Sequence, residues 1–275
     1  METMDDALLD HVIGAANSMI DAPTIYKYFD LDTGLKALQN KSIAFSRPDR
    51  FNDPFDCSVE LLNIDPVSTR EHMAGAIVRR LGNNYSERFR LKRQLDKASD
   101  QYVEALAKRG LRSEYSHRGI SCFSTTFQEI LMWAHYCKNH NGICIGYDTV
   151  MLYEYLRTRV EEIGYLPMDY VPKLDKKNLY PVSDHAIFYM LKTKSDIWAY
   201  EREVRITGTN FIFNDALLNL VKLDDNLITH VFIGINVHKD NFDQVLVAAR
   251  SLRSDMPVFK MMADYTAFNL VSKPV

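Results

Sequence analysis

The chain has 275 residues, 47% of them hydrophobic and 25% charged, the balance of an ordinary globular protein with room for one large domain or two small ones. A net charge of −3 leaves no global basic field that would draw in nucleic acid. No apolar run approaches the roughly 20 residues needed to span a bilayer, and the acidic opening METMDDALLDHVIGAANSMID lacks the basic start and apolar core of a signal peptide.

The first helix is expected over about Asp6 to Ile20, within an N-terminal segment of residues 1–22. TIYKYF (Thr24 to Phe29) has strand composition, with Lys27 set between two tyrosines. TGLKALQN follows as a helix, Thr33 its N-cap and Asn40 its end. SIAFS (Ser42 to Ser46) is a second strand. RPDRFNDPFD is loop, where Asn52 and Asp53 before Pro54 suit a turn that caps backbone groups.

Residues 67–110 read as two helices broken at GNNY, an insertion or cap over a core made elsewhere. Within them RFRLKRQLDK carries Arg88, Arg90, Lys92, Arg93 and Lys97. Glu87, Asp96, Asp100 and Glu104 dilute this charge, so a solvated helix face is expected rather than a nucleic-acid contact. RGISCFS is a strand, TFQEILMWAHYCKN a helix and GICIGYD a strand. A short helix, an extended YVP piece and a helix over Asp184 to Lys192 follow. The chain closes with strands at REVRI, NFIFN, HVFIGINV and PVFKMM and a helix from Asp240 to Leu252. Strands and helices intermix without regular alternation, so a single α+β domain is expected. No Gly-rich strand–helix turn matches a dinucleotide or P-loop fingerprint.

Four cysteines (Cys57, Cys122, Cys137, Cys144) lack a paired spacing, as reduced thiols of a cytoplasmic protein would. A zinc site from His135, Cys137, His140 and Cys144 does not fit the spacing of closed sites, and no metal is expected.

SDIWAYEREVRITG, residues 195–208, raises the main question. Read as one strand, its alternation aims Glu201, Glu203 and Arg205 at a common patch, and Tyr200, Arg202, Val204 and Ile206 at the other face. An edge strand with a charged outer face explains this. So does a site, in which Arg205 holds the carboxylates ionised and Trp198 and Tyr200 supply an aromatic wall. In the helix before GICIGYD, Trp133, Tyr136 and His140 share a stripe at i, i+3 and i+7. Trp133 suits a core position, whereas Tyr136 and His135 carry polar tips that need partners when buried.

Four blocks in order, IYKYFD…GLKALQNKSIAFSRPDRFNDPFD, ISCFSTTFQEILMWAHYCKNHNGICIGYD, WAYEREVRI and HVFIGINV, resemble the uncharacterised bacterial family called domain of unknown function 2971. A more distant resemblance is to the ADP-ribosyltransferase superfamily. It implies a mixed, largely antiparallel split sheet and NAD as cosubstrate. Lys27 sits where that superfamily has His or Arg, with Tyr28 beside it. Ser124 and Thr125 are similar to the Ser-Thr-Ser strand of one branch. Tyr136 resembles the tyrosine that stacks on nicotinamide in the other, and Trp133 completes the implied NAD-contacting set. YEREV resembles the Glu-x-Glu of the arginine-modifying branch, making Glu203 the catalytic carboxylate, Glu201 its acceptor-facing neighbour and Arg205 its support. Lys27 departs from the pattern, and marks of both branches are mixed. The resemblance implies an NAD-consuming toxin or antiphage effector that modifies a protein or nucleic acid. The rival expectations are a non-enzymatic nucleotide- or partner-binding module and a metal-dependent hydrolase or nuclease using Glu201, Glu203 and histidines.

Overall fold

The computed structural model describes residues 22–180, 184–215 and 218–275; the helix expected over Asp6 to Ile20 lies outside them. In chain order the elements are β1 (Thr24–Asp30), α1 (Leu31–Asn40), β2 (Ser42–Ser46), β3 (Leu62–Asn63), α2 (Pro66–Leu81), α3 (Tyr85–Lys97), α4 (Asp100–Tyr115), β4 (Gly119–Ser124), α5 (Ile130–Tyr136), β5 (Gly142–Asp148) and α6 (Thr149–Arg157). Then come β6 (Glu161–Pro167), β7 (Asp169–Val171), β8 (Lys177–Asn178), α7 (Asp184–Lys192), β9 (Thr193–Ser195), β10 (Glu203–Thr209), β11 (Leu218–Lys222), β12 (Ile228–Ile233), α8 (Lys239–Leu252), β13 (Val258–Asp264) and β14 (Asn269–Pro274).

The protein is α+β. Ten strands form one open, largely antiparallel sheet in the order β11-β2-β4-β1-β5-β12-β13-β14, with β10 paired to β4 and β6. The β12–β13 pair is parallel, and α8 makes the crossover between them, as a parallel connection requires. β5 is buried along nearly its whole length, which explains its unbroken apolar run. Its odd residues Ile143, Ile145 and Tyr147 enter the main core with Phe29, Leu38 and Phe45. Cys144, pointing the other way, packs with Tyr28, Met132, Trp133 and Phe232 beneath α5. A third apolar cluster joins Leu61, Leu62, Ala107, Leu111, Met190 and Leu191 between the insertion and α7.

The sheet is split where β1 meets β4. β1 pairs with β5 over seven residues, yet with β4 through the single bridge Tyr26↔Ser124. β4 gives its length to β10 instead, from Glu203↔Ser124 to Gly208↔Gly119. Lys27 fills the gap: its Nζ donates to the Cys122 carbonyl at 2.7 Å and to Ser121 Oγ at 3.1 Å. A side-chain ammonium thus satisfies a carbonyl near the split, where an unpaired buried group would cost about 1–3 kcal/mol.

Local chemistry corrects several boundaries. Asp30, not Thr33, caps α1: its carboxylate accepts from the Thr33 backbone N–H at 3.2 Å and from the Thr33 hydroxyl at 2.8 Å. Gly34 lets α1 approach β5, because a Cβ there would sit 2.4 Å from Ile143. The insertion has three helices rather than two, the second break falling at Ala98 and Ser99, where the Ser99 hydroxyl accepts from the Tyr102 N–H at 3.2 Å. NFIFN is not a strand. Phe211 leaves the sheet to stack on Phe45, ring centroids 4.7 Å apart, and the strand that pairs β2 is β11. Beyond PVFKMM the chain adds a further strand, β14, antiparallel to β13.

Candidate functional site

The charged stretch is not one strand. Asp196–Glu201 forms a 3-10 turn, and Arg202 adopts a left-handed backbone with φ 44°. β10 begins at Glu203, so alternation brings Glu203 and Arg205 to one side, while the turn delivers Glu201 to the same place. Nor is β10 an edge: β4 and β6 flank it, and Glu201, Glu203 and Arg205 are all buried. The solvated-edge reading therefore fails.

Arg205, 0% exposed, organises the cluster. Its Nε donates to Glu203 Oε1 at 2.7 Å, and its two Nη atoms grip Asp56 at 2.8 and 2.6 Å. Nη1 also donates to the Leu191 carbonyl at 2.9 Å. This spends the planar fork on two carboxylates and a carbonyl, a geometry lysine cannot supply. Lys194 on β9 is the second cation, its Nζ 2.5 Å from Glu201 Oε2 and 3.1 Å from Glu203 Oε2. The Trp198 ring lies 5.0 Å from that ammonium, so it covers Lys194 rather than walling a ligand site. Tyr136, on the last turn of α5, donates its hydroxyl to Glu201 Oε1 at 2.6 Å.

These surroundings push the two carboxylates apart. Burial raises the Glu203 carboxyl, but the Arg205 and Lys194 charges prevail and bring it down to about 2. Burial dominates at Glu201 and holds its pKa above the usual carboxylate value, with Lys194 and the Tyr136 hydroxyl opposing. Burial also works against the Lys194 charge, yet the Glu203 and Glu201 carboxylates leave its pKa raised. Lys27 has no such partner in contact, and burial lowers its pKa against weaker help from Cys122 and Glu203.

A cleft of about 200 Å³ opens over this cluster at the split in the sheet. Its walls are Tyr26, Lys27 and Tyr28 from β1, Ser124 from β4, Met132 and Tyr136 from α5, and Lys194, Glu201 and Glu203. Phe51, Asn52 and Asp56 close the remaining side. A second cavity of about 310 Å³ shares Phe51 and Asp56 as walls.

Of the residues the sequence singles out, Lys27, Tyr28, Ser124, Tyr136, Glu201 and Glu203 line this cleft. Arg205 lies behind Glu203. Trp133 is fully buried in the core, its indole N–H donating to the Phe127 carbonyl at 2.7 Å. Thr125 does not line the cleft; its backbone N–H donates to the Arg202 carbonyl at 3.0 Å. Ser124 is fully buried, its hydroxyl accepting from the Thr126 N–H at 3.2 Å. His140 does not continue the helical stripe, because the chain leaves α5 at Cys137 and Lys138, Asn139 and His140 all take positive φ. The cysteines are free, and among the described residues no group of His, Cys, Asp or Glu is placed to hold a metal ion. Asp56, Glu201 and Glu203 do converge, but Arg205 and Lys194 already occupy them.

Sequence reasoning missed Lys194, Asp56 and Tyr170, whose hydroxyl accepts from the Glu203 N–H at 2.8 Å. Lys194 precedes the charged stretch by one residue, and Asp56 sits in the loop read as a turn. Both signals were local; the partner 149 residues away was not.

No helix among the described residues is long and apolar enough to cross a membrane. No curated protein and no solved structure matches the chain. The model of a family described as "Protein of unknown function (DUF2971)" matches residues 132–206, a stretch holding Tyr136, Lys194, Glu201, Glu203 and Arg205 but neither Lys27 nor Asp56. That match supports the resemblance to this family over part of the second sequence block and the whole of the third, and none of the comparisons carries the more distant resemblance to ADP-ribosyltransferases.

Proposed function

We propose that the cleft binds the nicotinamide–ribose end of NAD, or of a closely related nucleotide, and cleaves its glycosidic bond with transfer to an acceptor. One observation carries this reading: Glu203 is buried at the cleft wall and kept ionised by two fixed cations, beside a second carboxylate whose pKa is raised. Two carboxylates driven in opposite directions suit two roles. Glu203, too acidic to serve as a base near neutral pH, supplies a fixed negative charge to a ribosyl cation as the C1′–N bond breaks and the bonding pair leaves with nicotinamide. Glu201, in contact with Tyr136 and nearer protonation, takes the proton of the attacking acceptor as the new bond to C1′ forms. Tyr28 and Tyr136 offer rings for the leaving group. A cleft of about 200 Å³ suits one end of a dinucleotide rather than the whole of it.

The test is nicotinamide release from NAD by the purified protein, with and without cell lysate as a source of acceptors. Glu203→Gln keeps the shape of the side chain and removes its charge, so release should fall by about 10²–10³, with the fold intact by circular dichroism. Dependence on lysate would identify transfer rather than hydrolysis.

A second reading has its own observation. Lys194 already neutralises the carboxylates the chemistry would use, which suits a module that binds a nucleotide without turning it over. Thermal stabilisation by NAD with no nicotinamide release from folded wild-type protein would favour that module and overturn the enzymatic reading.

A further inference from the structure

We infer that the outer face of the three-helix insertion is a docking surface for single-stranded nucleic acid. The inference rests on residues 66–115 and needs nothing from the cleft.

Charge is the first observation. The segment 66–115 holds eleven Lys and Arg against six Asp and Glu, a formal +5 inside a chain of −3, so the rest carries −8. In sequence the acids read as a diluting background. In the structure half of them are already used: Glu87 pairs with Arg90, Asp100 with Arg70, and Glu104 with Lys108. Arg79, Arg80, Lys92, Arg93 and Lys97 are exposed, and no carboxylate lies within ion-pair distance of them among the described residues.

Placement is the second. On α3, Leu91 and Leu95 turn toward α2 and α4, where they line an apolar groove with Met73 and Ile77. Tyr85, Phe89, Arg93 and Lys97 follow at successive i+4 steps on another face, a ridge about 18 Å long at 1.5 Å per residue. Tyr85 and Phe89 are each 70% exposed, and Arg88 stacks over Tyr85 at 5.4 Å. Lys92 flanks the ridge, and on α3 Asp96 is the acid beside it; Arg80 lines the apolar groove instead.

Large rings left in water beside unpaired cations decide which anion fits. An acidic peptide would use the cations and gain little from the rings. A single strand uses both, its phosphates meeting Lys and Arg while its bases stack on Tyr85 and Phe89. A duplex, with its bases already stacked inside, would engage the cations alone.

The experiment is fluorescence anisotropy of the full chain with a labelled 12-nucleotide oligo(dT), a 12-base-pair duplex and polyglutamate of matched charge, at about 50 and 200 mM salt. The single strand should bind tightest and weaken with salt. Phe89→Ala should weaken it about fivefold or more, and Arg93→Ala with Lys97→Ala should flatten the log–log salt dependence by about 0.7 per cation. All three residues are exposed, so circular dichroism should not change; Phe89→Tyr should restore binding lost in Phe89→Ala. Equal binding of polyglutamate, unchanged affinity in Phe89→Ala, or no binding of the single strand at about 50 mM salt would each overturn the proposal. Failure of nicotinamide release would leave it standing.

Discussion

Two charge-rich stretches of this chain, residues 195–208 and 85–97, raise the same question in sequence and receive opposite answers in the fold. Around β10 the charges are buried and saturated: Arg205 is held by Glu203 and Asp56, and Lys194 by Glu201 and Glu203. On α3 they are exposed, and several cations have no carboxylate in reach among the described residues. The difference lies in what surrounds each element. β10 has strands on both sides and Asp56 arriving from a distant loop, so desolvated charges must be paired. α3 packs through one stripe, and water solvates the rest. Density of charge therefore says little about its use until the partners are known.

Substitutions can break this contrast, and the largest effects belong to the buried cluster. Arg205→Ala leaves the buried carboxylates of Glu203 and Asp56 to share Lys194, already paired with Glu201, and should destabilise the protein by about 3–5 kcal/mol in chemical denaturation. Arg93→Ala on α3 should stay within about 0.5 kcal/mol. Comparable losses at the two positions would abolish the distinction. Asp56→Asn should cost less than Arg205→Ala, and the double variant should be non-additive by about 1–3 kcal/mol, since both changes remove one interaction.

Acid should separate the regions as well. The folded pKa of Glu203 is about 2, below the 4.5 of an unperturbed glutamate. Its contribution to stability is then complete above about pH 4.5 and is lost as pH falls toward 2. Glu203→Gln should flatten the denaturation profile across that window, whereas Glu87→Gln on α3, whose carboxyl is lowered by its pair with Arg90 but is screened by solvent, should change its shape far less. Smaller still is Tyr136→Phe, which deletes the hydroxyl on Glu201 and should cost about 1.5–3 kcal/mol when measured by denaturation. It tests whether the rim of the cleft is as tightly built as its floor. A comparable or smaller disturbance is expected from Lys27→Met, which keeps the apolar stem but takes this donor from the Cys122 carbonyl, about 1–3 kcal/mol of unfolding free energy.

The sequence by itself determined a good deal. Short stretches of strand composition placed β1, β2, β4, β5 and β12, and the intermixing of strands with helices pointed to α+β. Glu203 and Arg205 were legible as a pair because alternation on any strand puts residues two apart on one face. Glu201 reached the same patch for a different reason, a 3-10 turn followed by a left-handed Arg202, which local propensity does not announce. What only the tertiary structure decided was whether those charges met water or each other. Asp56 lies 149 positions from Arg205, and Lys194 comes in on a three-residue strand. Nothing in the local spacing of either predicts the encounter. Lys27 makes the same point: set between two tyrosines on a strand, it shows no partner in sequence, and the split between β1 and β4 turns it into the donor that fills the gap. Short-range periodicity fixes which way a side chain points; its partner, and hence its charge and chemistry, depends on chain segments brought together across the sheet.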